Sequence, residues 1–333
     1  MSTKPTLLIT GASGFIGSHL IGLGIGRGYE VYALVRTTSN IQNLSDINLI
    51  YGDVTNYDSL LAAFAQLKKQ GVKLDYIIHA AALTKSNSKE EIRTVNYNGT
   101  FNLYTALERL NYLPKKIVFI SSLAACGPGK PGQFIEKEQS QPITTYGKSK
   151  LEAEQFILNS ANIPTVIVRP TAVYGEGEKD LLSVFKLVNR GFNPVLGFHR
   201  QDLTFIYVKD LTYLIFHALE KGMPDKIYFA TDGHIYDKQS FPGAIAESLG
   251  KKPITLVIPL TVIKVLSWIS QTGYALLGGV SALSLEKYHE LVAPSWVCRV
   301  QDTYAELDYI PQYTLKEGVK ETSAWYKKNK WFN

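Results

Sequence analysis

Short apolar runs alternate with longer amphipathic stretches through the first half of the chain. Runs at 6–10, 30–36, 48–51, 74–79, 116–121 and 165–169 have the length of buried strands. The stretches between them, near 15–27, 57–70, 89–112 and 145–160, have the length of helices. This alternation predicts an α/β fold, in which right-handed crossovers build a doubly wound parallel sheet with ligands beyond the carboxyl ends of its strands. After Pro170 the rhythm changes. A polar loop at 174–178 leads to a helix at about 181–190 and to strands at about 194–196 and 204–208. A helix at 210–221 and a strand at 226–230 resume the alternation, and from about 237 onward the pattern is mainly helical.

Residues 10–17 read Thr-Gly-Ala-Ser-Gly-Phe-Ile-Gly directly behind the first apolar run. Gly11 suits a tight turn, Gly14 lets a pyrophosphate approach the backbone, and Gly17 allows close helix–strand packing. The helix that follows points its free N–H groups and positive dipole end at the phosphates. With a strand before it and a helix after it, the motif predicts a dinucleotide site at Gly11, Ser13, Gly14, Phe15, Ile16 and Gly17. Residues 1–170 then form the dinucleotide-binding (Rossmann) domain, to which 204–235 return. Residues 171–203 and 236–333 form a smaller, mainly helical substrate lobe. The first helix carries an oddity, since Gly22, Gly24, Gly26 and Gly28 alternate where each interior glycine costs about 1 kcal/mol against alanine.

Tyr146 and Lys150, at i and i+4, share one face at the start of a predicted helix. An ammonium there lowers the tyrosine pKa toward working pH, so the phenol can donate or accept a proton. The strand at 116–121 ends in Ser121-Ser122, where a hydroxyl can reach a substrate carbonyl. Each feature alone is ordinary. Their coincidence with the glycine loop points to catalysis by Ser122, Tyr146 and Lys150.

The chain here resembles the extended short-chain dehydrogenase/reductase superfamily, also called the NAD-dependent epimerase/dehydratase family. Thr10-Gly11-x-x-Gly14-x-x-Gly17 and Tyr146-x-x-x-Lys150 carry the resemblance. It extends through Gly52-Asp53-Val54, His79-Ala80-Ala81-Ala82, Asn96-x-x-Gly99-Thr100, Arg169-Pro170 and 204–210. It implies Asp53 and Val54 near the adenine, and Ala80, Ala81, Ala82 and Pro170 along the cofactor channel. Tyr146 would be the acid/base, Lys150 would also bind the nicotinamide ribose, and Ser122 would orient the reacting oxygen, with Ser121 as the fallback. Asn96 would support the lysine through a water. A homodimer through a helix pair is usual for the family.

The second apolar run ends at Arg36, followed by Thr37, Thr38 and Ser39. An NAD-selective site expects an acid about 20 residues past the glycines, and none is present. Arginine supplies a fork for a 2′-phosphate, so NADP(H) is preferred, with NAD(H) the alternative.

Within the resemblance, a sugar 4,6-dehydratase would carry an Asp-Glu pair where Leu123-Ala124 stand, and a 3,5-epimerase a cysteine nearer the serines than Cys126. Val35-Arg36 is similar to the dihydroflavonol-reductase branch. The apolar stretch 254–280, with Lys264 its one charge, is similar to the 3β-hydroxysteroid-dehydrogenase-like branch. That stretch has three readings: a core helix pair (the default), a wall for an apolar substrate, and a membrane-surface patch. Thr255, Pro259, Ser267, Ser270 and Gln271 interrupt it, so an integral span is not expected. The reading that follows is a reductase interconverting a secondary alcohol and a ketone or aldehyde on a fairly apolar small molecule. The alternative is a nucleotide-sugar 4-epimerase with tightly bound NAD, for which Lys186, Arg190, Arg200 or Lys209 would hold the diphosphate. A non-catalytic NADP sensor is a third class.

Composition narrows this only slightly. Of the 333 residues 45% are hydrophobic and 19% charged, which suits a globular chain with a large core. The net charge of +6 is scattered, so an anionic small molecule fits and nucleic acid is not indicated. Two cysteines and six histidines show neither a disulfide framework nor metal-ligand spacing. Met1-Ser2-Thr3-Lys4-Pro5 runs straight into the first strand. A cytoplasmic enzyme without a signal peptide or bound metal is expected.

Overall fold

The computed structural model describes residues 4–42, 44, 47–276 and 284–332. Met1–Thr3 and the end of the 254–280 stretch, from 277, lie outside the described residues.

Strands β1 (Thr6–Thr10), β2 (Glu30–Val35), β3 (Asn48–Tyr51), β4 (Tyr76–His79), β5 (Lys116–Ile120) and β6 (Thr165–Pro170) follow the predicted runs closely. Beyond them come β7 (Ala172–Tyr174), β8 (Phe192–Leu196), β9 (Asp202–Leu203), β10 (Phe205–Tyr207) and β11 (Ile227–Ala230). One parallel seven-stranded sheet has the order β11-β6-β5-β4-β1-β2-β3. The order reverses between β1 and β4, and the crevice at that point is where such sheets hold ligands.

Helices α1 (Phe15–Gly26), α2 (Tyr57–Lys69), α3 (Lys89–Arg93), α4 (Gly99–Arg109), α5 (Thr145–Ser160), α6 (Leu182–Asn189) and α7 (Val208–Lys221) connect the strands. Alternation along β1 explains the layers: Leu7 and Ile9 face one side and Leu8 the other. On the first side lie Leu20 and Ile21 of α1 and Leu214 and Phe216 of α7. On the second lie Phe64 of α2, Leu103 of α4 and Ile157 of α5. A separate aromatic core joins Tyr174, Phe185, Phe205, Tyr207, Phe241 and Tyr326. It draws together β7, α6, β10, α8 (Ser240–Leu249) and the late helix Leu315–Lys328.

Two expectations change. The helix at 89–112 is broken by a π-helical turn, Thr94–Asn98, which rotates Asn96 into the interior. The region after 237 also contains β12 (Ile254–Ile258), paired in parallel with β8. Ile254, Thr255, Val257 and Ile258 are β-branched and favour a strand. Helix α9 (Leu260–Leu276) and α10 (Leu285–Val292) follow. Then come β13 (Ser295–Trp296), α11 (Gln301–Leu307) and α12, the helix Leu315–Lys328.

The glycine oddity in α1 divides in two. A Cβ on Gly24 would stand 3.1 Å from Val31 and 3.3 Å from Leu7, so this position is needed for packing on the sheet. A Cβ on Gly22 meets nothing within 4 Å. Gly22→Ala should therefore stabilise the protein by about 0.5–1 kcal/mol, read as a raised thermal midpoint, whereas Gly24→Ala should lower it. A lowered midpoint for Gly22→Ala would show that this glycine is required.

Candidate active site

Gly11 (φ +68°) turns the chain out of β1, and a Cβ on Gly17 would stand 2.1 Å from Gly11 O. Helix α1 therefore sits directly on the loop, and any side chain at 17 would lift it off. Gly14 is the N-cap and provides no side-chain cap, which leaves the first-turn N–H groups open to an anion.

The loop is tied down from beneath. Thr10 Oγ1 lies 2.6 Å from His79 Nδ1 and accepts from Ala81 N–H at 3.1 Å. His79 Nε2 is 3.1 Å from Thr100 Oγ1, whose proton goes to Asn96 O. His79 is thus the Nε2–H tautomer, accepting from Thr10. Complete burial pushes its pKa down to about 3, with Lys150 adding to the effect. It is a neutral strut, not a proton carrier.

A cleft of about 1120 Å³ opens over this loop. Its walls include Gly11, Ser13, Gly14, Phe15, Ile16 and Gly17, with Arg36 at the β2 end. Asp53, Val54, Ala80, Ala81, Ala82 and Pro170 also line it, as do Ser121, Ser122 and Tyr146. Arg36 is exposed and forms no ion pair among the described residues; its N–H is held by Ser39 Oγ at 3.0 Å. The open helix end, the glycine cradle and the cation at the far rim fit a dinucleotide. Bound there, its phosphates would meet α1, and its adenosine end would meet Asp53, Val54 and Arg36.

Ser122 and Tyr146 come together because Gly147 allows it. A Cβ on Gly147 would stand 2.3 Å from Ala124 O, in the 3₁₀ turn that follows Ser122. The first turn of α5 is capped by Thr144 and seats directly on that turn. The Ser122 hydroxyl stands close enough to the Tyr146 phenol to favour its ionised form. Ser121 Oγ is buried without a partner among the described residues.

The electrostatics correct one expectation. Tyr146 is not drawn toward neutral pH: burial pushes its pKa up to about 12, against the opposing effect of Ser122. Lys150 lies behind the cleft wall, 1% exposed, with Nζ 4.3 Å from the centre of the Phe119 ring. Burial lowers its pKa to about 7, partly offset by Glu154. Glu154 is itself bound bidentately by Arg169, at 2.9 and 2.6 Å, in a buried pair. Glu154 thus acts on both Lys150 and Tyr146 while paired with Arg169, and the phenol's shift comes from burial, Ser122 and nearby carboxylates.

Asn96, expected beside the catalytic set, also stands outside the cleft wall. Its Oδ1 accepts from Leu83 N–H at 2.7 Å, and its amide donates to Leu83 O at 3.0 Å and Ser149 Oγ at 2.9 Å. It positions the loop after β4 against α5.

Several site neighbours were not read from the sequence. Glu176–Asp180, Trp325 and Trp331 line the cleft, and Lys85 pairs with Asp180 across it. Glu286 of α10 accepts from Thr145 N–H at 2.9 Å and Oγ1 at 2.7 Å. Only Glu154 had a local signal, standing one turn beyond Lys150.

The family model described as "NAD dependent epimerase/dehydratase family" matches residues 7–230. A 4-hydroxy-2-methyl-3-oxo-4-farnesyl-3,4-dihydroquinoline-1-oxide ketoreductase from Stigmatella aurantiaca is 25% identical, covering 93% of each chain. A UDP-glucose 4-epimerase from Vibrio cholerae is 26% identical, covering 96% of this chain and 94% of its own. The crystal structure of a Thermus thermophilus UDP-glucose 4-epimerase in complex with NAD superposes with a TM-score of 0.75 at 21% identity, over 97% of this chain and 99% of that one. The chain belongs to the NAD-dependent epimerase/dehydratase family and is an NAD(P)-dependent enzyme of the extended short-chain dehydrogenase/reductase type.

Proposed function

We propose that the protein is an NADP(H)-dependent oxidoreductase that interconverts a secondary alcohol and a ketone or aldehyde on a fairly apolar small molecule. The observation that carries this reading is the Ser122–Tyr146 pair, opening on the same cleft as Arg36. When bound, the nicotinamide supplies hydride to the carbonyl carbon. Ser122 holds the carbonyl oxygen, and Tyr146, protonated throughout the neutral range, delivers the proton. Lys150, its pKa lowered by burial, restores that proton from behind. Residues 171–203 and 236–333 shape the pocket for the substrate.

Of the cations expected to hold a sugar diphosphate, Lys186, Arg190, Arg200 and Lys209, none lines the cleft, where Lys179 stands instead. Lys209 is spent on Glu176 at 3.0 Å and Glu321 at 3.5 Å, and Arg200 on Asp202 at 2.9 Å. This favours an apolar substrate, in keeping with the farnesylated ketone named for the Stigmatella relative. The similarity to the Vibrio enzyme supports a second reading, a nucleotide-sugar 4-epimerase with tightly held NAD.

Cofactor choice separates the two. Arg36→Ala should weaken NADPH binding about tenfold or more, the scale of one charged hydrogen bond, and leave NADH within about twofold. Titration calorimetry with both nucleotides measures this, and equal losses would remove the 2′-phosphate assignment. NAD retained through purification would favour the epimerase, whereas freely exchanging NADPH would favour the reductase.

A further inference from the structure

We propose that β12, the turn beside it and the outer face of α9 form a docking surface for an anionic lipid bilayer. Helix α9 is inverted relative to an ordinary surface helix. Among its described residues only Ile263 and Ser267, one turn apart, are buried, while Val262, Val265, Leu266, Trp268 and Ile269 point into solvent, Trp268 at 60% exposure. The face continues onto the neighbouring sheet, where Ile254 and Leu256 of β12 are exposed. Gly197 N–H donates to Ile258 O at 2.9 Å, setting the adjacent Phe198, 83% exposed, beside them. The core-pair reading of this stretch fails for its described part. The substrate-wall reading fails too, because none of these side chains lines the cleft.

Charge identifies the occupant. The segments 186–201 and 251–271 hold Lys186, Arg190, Arg200, Lys251, Lys252 and Lys264 and no carboxylate, and Arg200 alone of these is neutralised, by Asp202 at 2.9 Å. The other five form no ion pair among the described residues. Ile254 N–H donates to Gly191 O at 2.9 Å, which gathers Arg190, Lys251 and Lys252 at one end of the β8–β12 pair. A two-fold contact with a second copy would bring two such cationic rims together, with no carboxylate of either patch to neutralise them. An apolar face with an aromatic residue and an unopposed cationic rim is the chemistry of a helix lying in the headgroup region. Among the described residues no helix is long and apolar enough to cross a membrane, so the contact is with the surface.

The full chain should co-sediment with phosphatidylcholine vesicles containing phosphatidylserine, and about tenfold or more weakly with phosphatidylcholine alone. Val265→Glu with Ile269→Glu should abolish sedimentation while leaving NADPH binding and the thermal midpoint near wild type. Lys251→Gln with Lys252→Gln should reduce binding to anionic vesicles about tenfold and flatten its salt dependence, and decides the matter if the glutamate variant does not fold. Failure to bind either vesicle, or binding unchanged in the lysine variant, overturns the proposal. So does a lipid-free dimer that the glutamate pair dissociates, which would assign the face to a second copy. The proposal is independent of the cofactor reading, since vesicle binding is measured without substrate or nucleotide.

Discussion

Tyr146→Phe should reduce carbonyl turnover about a thousandfold or more while nucleotide affinity stays within a few-fold of wild type. The ring is kept, so its packing over Ser122 survives, and the lost hydroxyl takes with it only its contact with that serine. Chemistry bears the whole effect, because a phenol held at about 12 is the proton donor facing the cleft beside Ser122. The same value sets the pH profile. Reduction uses the protonated phenol, whose proton Lys150 restores, and should fall as the pH rises above about 7, where the lysine loses its proton. Alcohol oxidation uses the phenolate and should climb with pH. Stopped-flow turnover in both directions checks both statements. Activity preserved in the phenylalanine variant, or oxidation that falls with rising pH, would overturn Tyr146 as the acid/base.

The sheet was legible because it is written in local alternation. Leu7 and Ile9 against Leu8 give β1 two buried faces, and the glycines at 11, 14 and 17 fix the corner that follows. Ser122 and Tyr146 were legible for a related reason: each ends or begins an element, and Gly147 brings those two ends into contact. The far wall was not legible. Trp325 and Trp331 reach the cleft through the aromatic core around Tyr326, and Glu286 reaches α5 from a helix about 140 residues away. No local pattern encodes such approaches. The apolar stretch after Lys252 shows the converse error. Its hydrophobicity suggested burial, yet composition is blind to which side of α9 meets the protein, and Ile263 and Ser267 are its buried positions among the described residues. Electrostatics failed in a similar way. An i, i+4 Tyr–Lys pair suggests a lowered phenol pKa, but burial acts on both partners and shifts each away from its charged form.

That shift gives the second large effect, in which stability and activity move in opposite directions. Lys150 has a folded-state pKa of about 7, below its unfolded value of about 10.4. Between these values the unfolded chain binds more protons than the folded one, so the lysine destabilises the protein increasingly as pH falls from about 10 toward 7. Lys150→Met fills the same space over Phe119 without a charge, and leaves Glu154 held by Arg169. It should stabilise the apoprotein by roughly 2–4 kcal/mol at pH 7 and by much less near pH 10. Turnover should fall about a hundredfold or more, because no group remains to restore the Tyr146 proton. Urea midpoints for both proteins at pH 7 and pH 10, with turnover at pH 7, make the comparison. If the methionine variant is no more stable at pH 7 than wild type, the lysine is not held against its own desolvation, and its place behind Tyr146 carries no energetic cost.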